Sequence, residues 1–257
     1  MLPAGISPAP LSPLAQAFES SVNLGQLVRE LTPRAAAGDA QAARVVAQAL
    51  EECAILGLRR GGADGFEASA GSMPANRRNA ALAHVARYRE RCTELVNAEK
   101  ITPERLRETV HAGSLGNDLV DEARRLVDGA STMSDAQIRD TLRRIVQSRD
   151  AQAIAAMSDA MAQRHDDRDS EPFGPRSGSD IHAWAWRFVA CDLGMPCGPA
   201  SAQVRHACLF LGMCVPGDYR EVARFYYLTP WAFELAIRQE REILQDIANG
   251  NIDQIFP

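Results

Sequence analysis

Apolar positions recur along this chain at helical spacing. Leu24, Leu27, Val28 and Leu31 make one stripe, and Ala42, Val45, Val46, Ala49 and Leu50 make a second. Between the stripes, Gly38 suits the left-handed residue that ends a helix, and Asp39 suits the cap that opens the next one. Residues 23–53 therefore predict a helix pair, with Pro33 expected to kink the first helix or to begin a new segment there. Asp150-Ala151-Gln152-Ala153 repeats the text of Asp39-Ala40-Gln41-Ala42, and a weaker copy of the turn begins at Ser114-Leu115-Gly116-Asn117. Further along, a helix capped by Ser179 or Asp180 is expected to close at Gly194. A second is expected from Pro199, with Ser201 nearby, to Gly212, and a third from Pro230 to about Ala248. The chain ends in Ile252, Ile255 and Phe256, apolar enough to dock on a core.

Composition agrees with an all-α reading. Ala-rich runs broken by Arg and Glu dominate, and aromatics make up 6% of the 257 residues. Ala and unbranched side chains lose little freedom in a helix. With 46% hydrophobic and 24% charged residues, the chain can bury a sizeable core. A net charge of −5, with Arg77-Arg78, Arg124-Arg125 and Arg143-Arg144 read as solvated helix faces, argues against a nucleic-acid partner. No run approaches the roughly 20 apolar residues of a membrane span.

Segment composition divides the chain. Residues 1–22 read as a disordered Pro/Ala-rich leader that adds little to the core. They lack the basic and apolar regions of a secretory signal, yet such an opening commonly follows a signal peptide or a lipoprotein anchor. Residues 23–163 read as degenerate helical repeats, 164–179 as a polar linker and 180–257 as a Cys-rich helical module. The Gly/Ala/Ser-rich stretch at 56–74 reads as an insertion with the composition of a mobile surface loop.

Four of the six cysteines follow the pattern Cys191-x5-Cys197-x10-Cys208-x5-Cys214. In each half, a cysteine late in a helix precedes a helix-ending glycine (Gly194, Gly212) and a second cysteine, so chain reversal can bring the two within disulfide range. Cys197 and Cys214 flank opposite ends of a helix and are too far apart to pair. Cys53 and Cys92 remain as a third candidate pair. Disulfides are favoured over buried free thiols, and both over zinc, whose knuckles use shorter spacings. Connectivity stays open, since six cysteines allow 15 pairings.

Residues Ala35, Gly38, Asp39 and Ala42 of AAAGDAQAARVVAQALEEC fit an A-x-x-G-[DN]-x-x-A core. In this the chain resembles the SEL-type variant of the tetratricopeptide repeat. It departs from that pattern at Arg149, where glycine is expected before Asp150, and at Val120, where alanine is expected. The resemblance implies a short α-solenoid of antiparallel helix pairs used for protein binding. Asn117 to Asp150 is close to the ~34-residue period, and Asp39 to Asn117 is roughly two periods with an insertion. The chain is also broadly similar to cysteine-bearing helical-repeat lipoproteins of the bacterial envelope, although its cysteine spacing is shorter than theirs.

Other constellations carry less chemistry. His165, Asp166, Asp167, Asp169 and Glu171 crowd carboxylates into one segment but lack the register and turning glycine of a calcium hand, so a solvated acidic linker is the better reading. His84, His111, His182 and His206 show no H-E-x-x-H spacing and no adjoining nucleophile motif. Phosphate loops, Rossmann fingerprints and G-x-S-x-G are absent from the sequence. Most aromatics follow residue 180, and a packed core is favoured for them; Trp184, Trp186, Tyr226, Tyr227 and Trp231 are the candidates for a partner-binding face.

The combined expectation is an all-α, non-enzymatic protein-binding scaffold of the periplasm or cell envelope, for which an immunity or inhibitor protein against a toxic effector is a concrete version. Binding through exposed acids such as Glu51 or Asp121 is expected to be salt-dependent. No cofactor or metal is expected, the partner is a protein, and a lipid anchor on the native precursor is compatible with the opening residues. The rival readings are a hydrolase using the His165–Glu171 carboxylates or His182 and His206, and a cytosolic regulatory scaffold with reduced cysteines.

Overall fold

The computed structural model describes residues 3, 6–57, 61–98, 118–163 and 173–257. Among these residues the regular structure is helical, with no strand. The chain forms two compact units. Unit 1 comprises Met1–Pro10, Asn117–Met195 and Ala223–Pro257, and unit 2 comprises Leu11–Gly116 and Pro196–Val222. Both are discontinuous in sequence. The expected 164–179 linker lies partly outside the described residues, as do the turn at 114–117 and part of the 56–74 insertion.

Unit 2 is built on α1 (Pro13–Ser20), α2 (Leu24–Ala36), α3 (Ala40–Gly57), α4 (Gly62–Ala70) and α5 (Ala75–Ala98), with α10 (Ala202–Leu211) and the short α11 (Tyr219–Val222). Both predicted stripes face inward. Leu24, Leu27, Val28 and Leu31 of α2 and Ala42, Val45, Val46, Ala49 and Leu50 of α3 belong to one core, together with Phe66, Val85, Leu95 and Leu209. Gly38 takes φ +92°, and the Asp39 carboxylate then accepts from the Ala42 N–H at 3.0 Å while pairing with Arg34 at 2.6 Å. These backbone and guanidinium donors hold the Asp39 carboxyl below its usual pKa. Gly25 marks a close approach of α2 to α5, because a Cβ there would sit 3.0 Å from the Leu95 nitrogen.

Unit 1 contains α6 (Leu119–Gly129), α7 (Asp135–Ser148), α8 (Ala151–Met157), α9 (Asp180–Asp192), α12 (Pro230–Asn249) and the short α13 (Ile252–Ile255). Ser134 and Gln137 form a reciprocal capping box at the start of α7. Asp150 caps α8 by accepting from the N–H groups of Gln152 and Ala153, just as Asp39 caps α3. The preceding Arg149 takes φ +56°, the left-handed position that Gly38 fills at the other turn. The core gathers Ile138, Leu142, Ile145, Ile154, Trp186, Ile243 and the terminal Ile252, Ile255 and Phe256.

The structure corrects some expectations. The 56–74 stretch, expected as a surface loop, contains α4, which buries Phe66 and Ala70 in the core. Within the segment expected to be a disordered leader, Pro13–Ser20 is helical and buries Ala15 and Phe18, because Ser12 caps it and Pro13 suits a first helical turn. Pro33 does not begin a new segment: α2 runs through it to Ala36.

Disulfides join Cys53 to Cys92, with Cα atoms 5.3 Å apart, and Cys208 to Cys214, with Cα atoms 4.2 Å apart. Cys191 and Cys197 are disulfide-bonded as well. Such bonds persist in oxidising surroundings and point to an extracytoplasmic compartment. No helix among the described residues is long and apolar enough to cross a membrane.

Candidate protein-binding surface

The surface of interest lies in unit 1, where the chain leaves a widened turn and enters α12. Residues Ala223–Tyr227 form a π-helical turn, closed by the Leu228 N–H donating to the Ala223 carbonyl at 2.9 Å. A five-residue reach is uncommon and recurs at functional sites. Pro230 then restricts Thr229 to an extended conformation, and the Thr229 hydroxyl caps α12 by accepting from the Ala232 N–H.

The local geometry leaves large aromatic rings in water. Phe225 is 56% exposed, Tyr227 43% and Trp231, at the second position of α12, 71%. Tyr227 rests on a buried group of rings. Trp184 of α9 is buried, its ring 4.9 Å from that of Tyr227 and 5.9 Å from that of Phe188. The Arg187 guanidinium covers the Trp184 ring at 4.6 Å and pairs with Asp159. Phe188 meets Phe233 edge-on at 6.0 Å. Partial burial pushes the Tyr227 phenol above its usual pKa, so it stays neutral and a hydrogen-bond donor at physiological pH.

The five aromatic candidates thus separate. Tyr227 and Trp231 are exposed, and Tyr226 is half-buried. Trp184 and Trp186 face the interior instead: Trp186 is fully buried, donates its indole N–H to the Arg176 carbonyl at 3.0 Å and stacks on Phe256. Two positions apart on α9, they project to nearly opposite sides of the helix, and both are buried because α9 is covered on most of its surface, with Ala183–Trp186 and Phe188–Ala190 all buried. Phe225 was not among the five, although it is more exposed than Tyr227. Its exposure follows from the π turn, which no periodicity in the sequence announces. Asp121, expected to be an exposed acid, is fully buried, whereas Glu51 is exposed.

Unit 2 presents a smaller apolar tip. Phe210 and Leu211, 49% and 45% exposed, lie within the loop closed by Cys208 and Cys214. His206 rests against the Phe210 ring at 5.3 Å.

Unit 2 also buries a charged centre. The Glu52 carboxylate receives Arg91 Nε at 2.8 Å and Arg205 Nε at 3.0 Å on one oxygen, and Arg91 Nη2 at 3.2 Å and Arg205 Nη2 at 3.0 Å on the other. Arg91 is 0% exposed, Arg205 2% and Glu52 7%. Arg91 further donates to the Phe18 and Glu19 carbonyls, capping the C-terminus of α1, and to the Ser21 carbonyl just beyond it. Arg205 donates to the Ala200 carbonyl. Glu52-Cys53 on α3 and Arg91-Cys92 on α5 therefore link the same two helices twice, once by charge and once by sulfur. The Tyr88 hydroxyl donates to the Cys53 carbonyl at 2.7 Å, and burial followed by the Glu52 charge pushes its pKa up to about 12. Arg91 makes five internal hydrogen bonds and Arg205 three, which suits a structural role.

The histidines offer no assembled site among the described residues. His182 Nδ1 lies 2.8 Å from Ser179 Oγ, but that serine caps α9 and the pair is a local cap contact. Burial, then Arg176, lowers the His182 pKa. His111 and the His165–Glu171 cluster lie outside the described residues. No group of three or more His, Cys, Asp or Glu among the described residues is arranged to hold a metal ion. Comparison with protein-family models, curated proteins and solved structures returns no match.

Proposed function

We propose that this chain is a non-enzymatic protein-binding scaffold of an oxidising, extracytoplasmic compartment, and that Phe225, Tyr227 and Trp231 anchor its partner. The observation that carries the reading is the exposure of these three large rings within seven positions of the chain, with Tyr227 packed on buried Trp184. Exposed Trp and Tyr on a rigid support lose little side-chain entropy on binding and are enriched among interface hot spots. The framework would be the degenerate SEL-type helix pairs of a short solenoid, whose loops and outer faces vary without disturbing the core. In its concrete form the protein is a bacterial periplasmic inhibitor or immunity protein that occludes a secreted effector.

The test is co-isolation from the native envelope fraction using oxidised wild-type protein and the Trp231→Ala and Phe225→Ala variants. A partner retained by wild type and weakened at least about tenfold by either variant, the effect of a hot spot of about 1.4 kcal/mol or more, supports the reading. Equal retention by all three proteins removes the aromatic face from the argument. Non-reducing peptide mapping of the native protein checks the compartment, since six free thiols would exclude it.

A further inference from the structure

All six cysteines lie among the described residues, and none is free. With Cys53 joined to Cys92 and Cys208 to Cys214, the remaining two, Cys191 and Cys197, form the third bond. The three bonds differ in access. Cys53, Cys92, Cys208 and Cys214 are each 0% exposed, even though Phe210 and Leu211 inside the Cys208–Cys214 loop reach water. Cys191 and Cys197 are partly exposed, and the exposed Gly198, Pro199 and Ala200 follow directly. Thiol exchange requires a thiolate to reach a disulfide sulfur, so burial decides which bond reacts in the folded protein.

The backbone around this third disulfide is held without sulfur. At the end of α9 the N–H groups of Leu193, Gly194 and Met195 donate to the carbonyls of Val189, Cys191 and Ala190 at 2.9, 3.2 and 3.0 Å. Gly194 takes φ +117°, and the Ala9 N–H donates to the Leu193 carbonyl at 2.9 Å on the same turn. The approach is close: a Cβ at position 194 would fall 2.5 Å from the Ala9 carbonyl oxygen. Further along, the Tyr219 N–H donates to the Cys197 carbonyl at 2.9 Å. Both cysteines therefore keep backbone anchors when the S–S bond opens, and a loop closed over so few positions restricts the unfolded chain little.

We propose that Cys191–Cys197 is a thiol-exchange site, the disulfide that an external dithiol reduces while the protein stays folded. One thiolate of the dithiol attacks a cysteine sulfur, the S–S bond breaks, and its electron pair leaves on the other cysteine, which takes up a proton. The second thiol of the reductant then displaces the first cysteine. The reductant closes to a cyclic disulfide, and Cys191 and Cys197 end as two thiols. A monothiol is a poor substitute, because the freed cysteine is tethered close to the mixed disulfide and re-attacks it. Cys53–Cys92 and Cys208–Cys214 stay oxidised until opening of the fold exposes them.

The experiment uses the full-length, oxidised protein, treated with dithiothreitol in native buffer and in denaturant. Aliquots are quenched by alkylation, and each cysteine is read by peptide mapping. In native buffer, Cys191 and Cys197 should be alkylated at least about 100-fold faster than the other four, and in denaturant the difference should fall to within about tenfold. The protein with only this bond reduced should keep its helical circular dichroism signal. Reduction of the buried bonds at the rate of Cys191–Cys197 in native buffer would overturn the proposal. So would a Cys191–Cys197 bond that resists dithiothreitol until denaturant is added, or a loss of helix that accompanies its reduction.

Discussion

Replacing Glu52 by Gln tests the buried charged centre most sharply, because the substitution preserves shape and removes one charge. Glu52 accepts four hydrogen bonds from Arg91 and Arg205, at 2.8 to 3.2 Å. A glutamine amide keeps one accepting oxygen and turns an NH2 group toward two guanidinium donors. Arg91 and Arg205, 0% and 2% exposed, then lack their counter-charge. Breaking a buried ion pair from one side costs about 3–5 kcal/mol, which at the usual sensitivity corresponds to a Tm lower by roughly 10 °C. Exchanging all three residues for apolar ones of similar volume often restores such a loss. Here it should do so only in part, because the carbonyls of Phe18, Glu19, Ser21 and Ala200 would lose their donors. Urea unfolding of the oxidised protein at pH 7, with amide exchange to locate the change, is the assay. A Glu52→Gln protein within about 1 kcal/mol of wild type would refute the reasoning, as would a loss confined to unit 1.

Further outcomes follow from the same geometry. Replacing Cys53 and Cys92 by Ala opens a loop spanning 39 positions and should destabilise unit 2 by roughly 4 kcal/mol on the chain-entropy account, whereas opening the six-position Cys208–Cys214 loop should cost roughly 2; chemical denaturation of the two double variants gives the order. Gly174→Ala should be severe, since its φ is +71° and the new Cβ would fall 2.1 Å from the Ile255 carbonyl oxygen, while Gly38→Ala meets no atom within 4 Å and should cost only the conformational penalty of about 1–2 kcal/mol; paired Tm measurements would show the contrast. Asp39→Ala removes the α3 cap and should cost about 1 kcal/mol at pH 7. Because the Asp39 pKa is lowered in the fold, that difference is present above the ordinary carboxylate range and should shrink as the pH falls through it, which unfolding curves at pH 7 and pH 3 would reveal.

The sequence by itself determined the local events. The stripes in α2 and α3, the Gly38–Asp39 turn, its Asp150 counterpart, the α9 cap within Ser179–Asp180 and the start of α12 at Pro230 were legible because each depends on residues within one or two turns, whereas α10 begins at Ala202 and not at the expected Pro199. All-helical structure and the presence of disulfides followed from composition and from cysteines placed around helix-ending glycines. Tertiary structure decided what lies far apart in the chain. Glu52 and Arg205 are 153 positions apart, and nothing in either neighbourhood distinguishes a buried arginine from a solvated one. Trp184 and Trp231 are both tryptophans beside apolar residues, yet one supports the surface and the other forms it, because packing partners rather than residue type set exposure. The leader residues gained a helix for the same reason: Phe18 has a core to enter and Arg91 has carbonyls to hold, and both partners come from elsewhere in unit 2.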